Sequence, residues 1–380
     1  MPFHDFNTSA GLYEWSNVAF ILMINAGLMG LIIPVILQIS FRKRLFDQQD
    51  LRKIHHSIIP RLGGTAFIPV ILFSMLCAFG INSLTETSHI LSDFHQHAPE
   101  LLFALCGTLL IYFTGVADDL IGVRYRNKFI IQSASSILLA ASGLWIHNLY
   151  GLFGIYSLSP IAGYMLTILV VVFIINAINL IDGIDGLASG LCCIATLYYG
   201  ILFMQHGQYT FAFLSFASLG TFTVFFVYNV FGVTKRRRKI FMGDTGSMTA
   251  GMLLSILSIA ACNHPLESSN CSANPFVIAF VPLLVPCFDV LRVFFHRLRT
   301  RKPAFEPDQN HIHHKLLNIG LTQHQAMIII LTASVAMTTA NFHGSSLMNI
   351  NLLLPVNIGG WTLLNIWLTA AIHKRKRKEL

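Results

Sequence analysis

Residues 160–187 read PIAGYMLTILVVVFIINAINLIDGIDGL. No charged side chain occurs between Pro160 and Ile181, and then Asp182 and Asp185 follow almost at once. An apolar run of this length crosses hydrocarbon as a helix, because in lipid every backbone N–H and C=O must find its partner inside the segment. The acids that end it mark a membrane boundary.

The same pattern recurs in both directions along the chain. Eleven apolar runs fall at about 17–39, 64–81, 100–117, 129–147, 160–178, 187–204, 209–227, 247–262, 274–292, 325–341 and 352–372, of which 247–262 is the shortest. Of the 380 residues, 54% are apolar and only 11% charged, with a mean hydropathy of +0.64. Soluble domains carry about a quarter charged residues. The composition therefore excludes a soluble globular domain, a disordered chain, a collagen and a disulfide scaffold, and predicts an all-α, polytopic transmembrane bundle of about eleven spans. No internal repeat or low-complexity linker divides it, so 1–380 is expected to be one integral-membrane domain. Met1 to Ser16 has no basic leader or cleavage site, so no cleaved signal peptide is expected.

The net charge of +8 would suggest nucleic acid in a soluble protein, but here it reports orientation. All 25 Lys and Arg lie in the connections 41–63, 118–128, 228–246 and 292–323 or in the tail from Lys374 to Lys378. The alternate connections and the N-terminus have none. The positive-inside rule then predicts a periplasmic N-terminus and a cytoplasmic C-terminus. The seven cysteines are odd in number and lie mostly in apolar runs. Cys262 and Cys271 flank one short polar loop and are the only plausible disulfide pair, and free thiols are expected there.

Four polar islands interrupt the apolar pattern, each in a connection assigned to the cytoplasm, so catalysis is expected near 41–63, 118–128, 179–187, 228–246 and 292–323. Asp118-Asp119 ends the third run; two adjacent carboxylates at a boundary need a metal, a proton or cations, and Arg124, Arg126 and Lys128 follow. A solvated helix end explains such a pair equally well when it is read alone. Asn176, Asn179, Asp182 and Asp185 recur every third position and would share one side of a continuing helix. Their oxygens suit a hard cation such as Mg²⁺, with Mn²⁺ as an alternative, whereas the ligand spacing of an EF-hand is missing. Gly243-Asp244-Thr245-Gly246-Ser247 opens a helix, where it can act as a cap, or offer free N–H groups to phosphate while Asp244 faces a metal. The basic run Lys235 to Lys239 before it reads first as an anchor for anionic headgroups. His311, His313 and His314 fall in the longest cytoplasmic connection and fit an anionic partner better than zinc, which lacks a paired Cys. Arg61, beside His55, His56 and Pro60, can bind phosphate or simply anchor the loop. Asp289 with Arg292 three positions on reads as a helical ion pair.

Carboxylates, amides, cations and imidazoles at one membrane surface fit phosphoryl transfer, which is largely charge neutralisation and positioning. The ordered set HHSIIPRLGG, GVADD, NAINLIDGIDGL, IFMGDTGS and NHIHHKL, at 55–64, 115–119, 176–187, 240–247 and 310–316, resembles the polyprenyl-phosphate N-acetylhexosamine-1-phosphate transferases (glycosyltransferase family 4) over nearly the whole chain. The HIHH form and the eleven-span plan resemble the WecA/TagO-like branch rather than the muramyl-pentapeptide phosphotransferases. The resemblance implies a Mg²⁺-dependent enzyme of the bacterial inner membrane, with a UDP-sugar (UDP-N-acetylglucosamine) as donor, a polyprenyl phosphate lipid (undecaprenyl phosphate) as acceptor and UMP released. By motif it assigns Asp244 and Asn179 to the metal, Asp118, Asp119, Asp182 and Asp185 to catalysis with Asp118 as the base, and His311, His313 and His314 to the sugar and pyrophosphate. Arg61, Lys128 and Asn176 complete the expected substrate-binding set. The run at 235–239 replaces the shorter, proline-containing link that the family has after the asparagine matching Asn229. A transporter and a membrane phosphatase are the readings from other classes; no nucleic-acid partner is expected, and a homodimer is left open.

Overall fold

The computed structural model describes residues 9–43, 45, 59–233, 238–264, 273–301 and 310–379. His55, His56, most of the basic run and Cys271 lie outside the described residues. The chain is built almost wholly of helices: α1 (Ser9–Lys43), α2 (Phe67–Leu84), α3 (Ser88–Ile121), α4 (Tyr125–Ala141), α5 (Pro160–Ile181), α6 (Leu187–Gln205), α7 (Tyr209–Phe231) and α8 (Gly243–Asn263). After these come α9 (Pro275–Phe280), which a short 3₁₀ turn joins to α10 (Leu284–Arg299), then α11 (Ile312–Ile319), α12 (Gln323–Leu347) and α13 (Ile350–Glu379). An antiparallel hairpin of β1 (Asn148–Leu152) and β2 (Ile155–Ser157) separates α4 from α5.

Ten helical stretches among the described residues are long and apolar enough to cross a membrane, so the chain is an all-α, multi-pass membrane protein. The expected run 129–147 differs from the rest. Its helix, α4, stops at Ala141, and the next residues turn to pack on α5, where the Ile146 N–H donates to Thr167 Oγ1 at 2.9 Å. Conversely, the run expected to be shortest becomes α8, 21 residues long.

The bundle is organised about α8, which is buried at every position from Thr245 to Cys262. Its sequence is rich in Gly, Ala, Ser and Thr, small side chains that let helix backbones approach where no hydrophobic force drives them together. The buried hydroxyls do not go unpaired: Thr249 Oγ1 donates to the Thr245 carbonyl at 2.6 Å and Ser255 Oγ to that of Gly251 at 2.8 Å. Amides join the outer helices, with Asn25 of α1 donating to the Ala217 carbonyl of α7 and Asn82 of α2 to Asn17 of α1. Leucines such as Leu12, Leu31 and Leu363 remain exposed, the expected state of side chains that face lipid. At the far end of α8 the hairpin packs down, Tyr150 Oη donating to the carbonyl of Cys262, itself a buried free thiol.

Truncating a side chain on α8 should therefore cost far more than the same change on the periphery. Leu254→Ala is expected to destabilise the detergent-solubilised protein by about 2–5 kcal/mol, whereas Leu363→Ala should leave the thermal midpoint unchanged; differential scanning fluorimetry checks both.

Candidate active site

Asp118 and Asp119 occupy the last turn of α3, and the connection to α4 is so short that Lys128 lies directly opposite. Asp118 accepts the Val123 N–H at 2.6 Å through Oδ1 and pairs with the Lys128 ammonium through Oδ2. The same ammonium donates to Asp244 Oδ2 at 2.7 Å, and Asn179 Nδ2 donates to Asp244 Oδ1 at 2.9 Å and to Ser247 Oγ at 2.8 Å. Three helices, α3, α4 and α8, thus meet at one ammonium, and α5 joins them through Asp244. Burial pulls the Lys128 ammonium down, but the charge of Asp244 and its pairing with Asp118 outweigh this and hold it above its ordinary value.

The neighbouring carboxylate faces the other way. Asp119 accepts the N–H groups of Asp244 at 2.8 Å and Thr245 at 3.0 Å, and the Thr245 hydroxyl at 2.6 Å. These are the helix-start N–H groups that the sequence offered to a phosphate, and a carboxylate already fills them. Gly243 makes this approach feasible: its φ is +72°, and a Cβ there would overlap both the Arg61 carbonyl and the Asp119 carboxylate. Arg61 arrives on a short backbone ladder, in which Phe241 N–H donates to the Pro60 carbonyl, Gly63 N–H to that of Phe241 and Gly64 N–H to that of Met242.

The helix expected to continue through Asp185 ends at Ile181 instead. Asn176 and Asn179 share a face of α5, but Asp182 and Asp185 lie on a turn whose Gly183 N–H donates back to the Ile181 carbonyl. Asn229 fixes that turn: its Oδ1 accepts the Gly186 N–H at 2.6 Å and its Nδ2 donates to the Ile240 carbonyl at 2.8 Å. Asp185 pairs with Lys239, so the last residue of the basic run points inward rather than to lipid. Asn176 sits deeper, its amide donating to Gln132 Oε1 and the Val172 carbonyl, which ties α5 to α4. Asp182 is exposed at the surface of this turn. Surrounding protein first, then the negative charges of Asp244, Asp185 and Asp119, raise its carboxyl to about 7, against the pull of Arg61.

The histidines reach the same turn from the other end of the chain. Asp289, fully buried on α10, lies 2.9 Å from His311 Nδ1, accepts the Ile312 N–H at 3.0 Å and pairs with Arg292 at 2.9 Å. The expected ion pair exists, but Asp289 also caps α11 and aims its histidines. His313 is buried with its ring against Gly183, where any Cβ would overlap the imidazole. Burial, then the positive charges that His314 and His311 can carry, push His313 down to about 3, with Asp289 opposing. It is neutral at pH 7, and its Nδ1 has no hydrogen-bond partner among the described residues. Motif reading named Asn229, Ser247 and Lys239 without giving any of them a place in the site, and it gave Asp289 only its ion pair. An acid inside an apolar run was the one available signal, since such a charge requires a buried partner.

The raised Asp182 carboxyl makes stability depend on pH. Between its ordinary value of 3.8 and about 7 the folded state holds a proton that the unfolded state has lost, so stability falls as pH rises through that window. Asp182→Asn should stabilise the protein at pH 8 and have little effect near pH 4; thermal melts in detergent across this range test it, and an equal shift at both ends would contradict it.

The chain is similar to known proteins over most of its length. The family described as Glycosyl transferase family 4 matches residues 101–262, which carry Asp118, Lys128, Asn179, Asp182 and Asp244. A Yersinia pestis protein named undecaprenyl-phosphate alpha-N-acetylglucosaminyl 1-phosphate transferase is 29% identical over 356 residues, 90% of each chain. Its namesake in Escherichia coli K12 is 29% identical over 88% of each chain. A Bacillus subtilis protein, named as a probable undecaprenyl-phosphate N-acetylglucosaminyl 1-phosphate transferase, is 32% identical over 82% of this chain and 80% of its own. With its acidic ends of α3 and α8 brought onto one ammonium and this likeness running through nearly its whole length, the chain belongs to glycosyl transferase family 4.

Proposed function

We propose that this protein transfers N-acetylglucosamine 1-phosphate from UDP-N-acetylglucosamine to undecaprenyl phosphate, releasing UMP and initiating a cell-envelope polysaccharide. The observation that carries the reading is the meeting of Asp118, Asp244 and Asn179 around Lys128, beside a turn bearing Asp182 and covered by His313. The relatives' names supply the substrates. The reaction belongs at the cytoplasmic face of a bacterial inner membrane, in an arrangement of eleven spans that counts the shorter α4 with the ten long helices, with the N-terminus outside and the C-terminus inside, because the basic connections fall on the side of these acids.

The donor set fits a divalent cation. Asp118 and Asp244 would hold Mg²⁺, or Mn²⁺, with Asn179 beside them; the Lys128 ammonium between the two carboxylates marks where positive charge is required. Such an ion, when bound, neutralises the donor diphosphate. Lys128 and Arg61 add fixed positive charge for the phosphates, and neutral His313 offers its unpaired Nδ1 to a sugar or phosphate group. An oxygen of the lipid phosphate bonds to the β-phosphorus while the bond to the bridging oxygen breaks and leaves with UMP. A lipid monophosphate is largely ionised near pH 7, so Asp118 orients the acceptor more than it removes a proton. Asp119 acts on the reaction through Asp244, whose helix start it holds.

A transporter would keep its acids near the bilayer midplane, whereas these stand at helix ends; the muramyl-pentapeptide phosphotransferase reading, which differs in the group the nucleotide donor carries, is not favoured by the names of these relatives. Labelled UDP-N-acetylglucosamine with undecaprenyl phosphate should give a lipid-linked diphosphate sugar and UMP, and phosphate release without a nucleotide donor would contradict the proposal. Asp244→Asn should lower UMP release by at least about 100-fold while the protein still inserts and folds. Gly183→Ala should raise KM for the nucleotide sugar by displacing His313, and steady-state kinetics will separate that from a loss in kcat.

A further inference from the structure

A second cluster of ligating side chains stands at the opposite end of the bundle. Glu100 precedes Asp118 on α3 by about 27 Å of helix rise, and His264 follows Asp244 beyond α8 by about 30 Å. There His97 Nδ1 lies 3.0 Å and His264 Nε2 3.2 Å from the same oxygen, Glu100 Oε2, and the three ligand atoms fall within 4.8 Å of one another. The rings of His97 and His264 are 4.5 Å apart, and Phe211 packs against both, shielding them on one side. His97 is buried, while Glu100 and His264 keep partial access to solvent.

The surroundings are those of a ligand shell. On the far side of His97, Nε2 is 3.7 Å from Asp93 Oδ1. Asp93 is itself fixed, its Oδ2 accepting the Thr210 N–H at 2.7 Å and the Thr210 hydroxyl at 2.6 Å. A carboxylate behind a histidine sets which ring nitrogen carries the proton and turns the other toward a metal. Two imidazoles and one carboxylate, completed by a water, are the donors of a four-coordinate zinc site and are poorly matched to Mg²⁺.

We propose that His97, Glu100 and His264 bind a zinc-class divalent cation, held in place by Asp93, at the end of the bundle remote from the phosphate-binding residues. The ion clips α3 to the end of α8, the two helices whose other ends present Asp118 and Asp244. The site stands independently of the proposed reaction.

Co²⁺ is a visible probe for such a site. The full chain, purified in detergent and stripped with chelator, should gain the absorption of a four-coordinate Co²⁺ centre at one ion per chain, displaced by Zn²⁺. Glu100→Gln and His264→Gln should abolish that centre, and Asp93→Asn should weaken it by about 10-fold or more, a change that a hydrogen-bonding role alone would not produce. UMP release should persist in all three variants. Absence of the absorption in the unaltered chain, or its survival in Glu100→Gln, would overturn the proposal. If the variants fail to fold, Zn²⁺ protection of His97 and His264 from a histidine-modifying reagent in the unaltered chain, read by peptide mass spectrometry, decides the matter: protection supports the site and its absence refutes it.

Discussion

Two carboxylates from different helices share one ammonium at the membrane boundary, and the remaining architecture serves that arrangement. Asp118 and Asp244 would repel each other at this range without Lys128 between them. The ammonium reaches both only because α3 turns sharply into α4 and α8 starts at the same level. Every constraint on the bundle's centre follows from bringing those helix ends together.

Burial of α8 along its length makes this feasible. A helix lined by small side chains accepts neighbours closely, so its first turn is placed by packing against α3 and α5 rather than by a flexible loop. Asp119 then secures the start by taking up two orphan N–H groups and a hydroxyl. The adjacent acids divide the labour: one faces the cleft, and the other holds the helix that supplies Asp244. Similar economy appears in Asn229, which latches the Asp182 turn to the strand-like segment before α8, and in Asp289, which both caps α11 and orients His311.

Charge patterning and apolar length were sufficient to find the helices. The run 129–147, whose helix stops at Ala141, contains Ser142-Gly143 and then residues that find better partners on α5, information that resides in α5 and not in the run itself. Motif reading collected most of the site, because Asp118, Asn179, Asp182, Asp244 and His313 are polar residues in an apolar chain, where each is conspicuous. Ser247 and Asn229 were visible in the same motifs, but a helical serine or asparagine has many ordinary explanations, and only the fold shows what each one holds.

The sequence by itself determined that the chain is an all-α membrane protein and which short segments carry its chemistry, because the cost of unpaired polar groups in hydrocarbon is local and can be read residue by residue. Tertiary structure alone decided which acids face the cleft, where α5 ends, that Asp289 meets His311, and that His97, Glu100 and His264 converge. Apart from His97 and Glu100, which one turn of α3 brings together, those are contacts between distant residues, up to 164 positions apart, set by how helices pack, and no periodicity along the chain encodes the partner that packing brings.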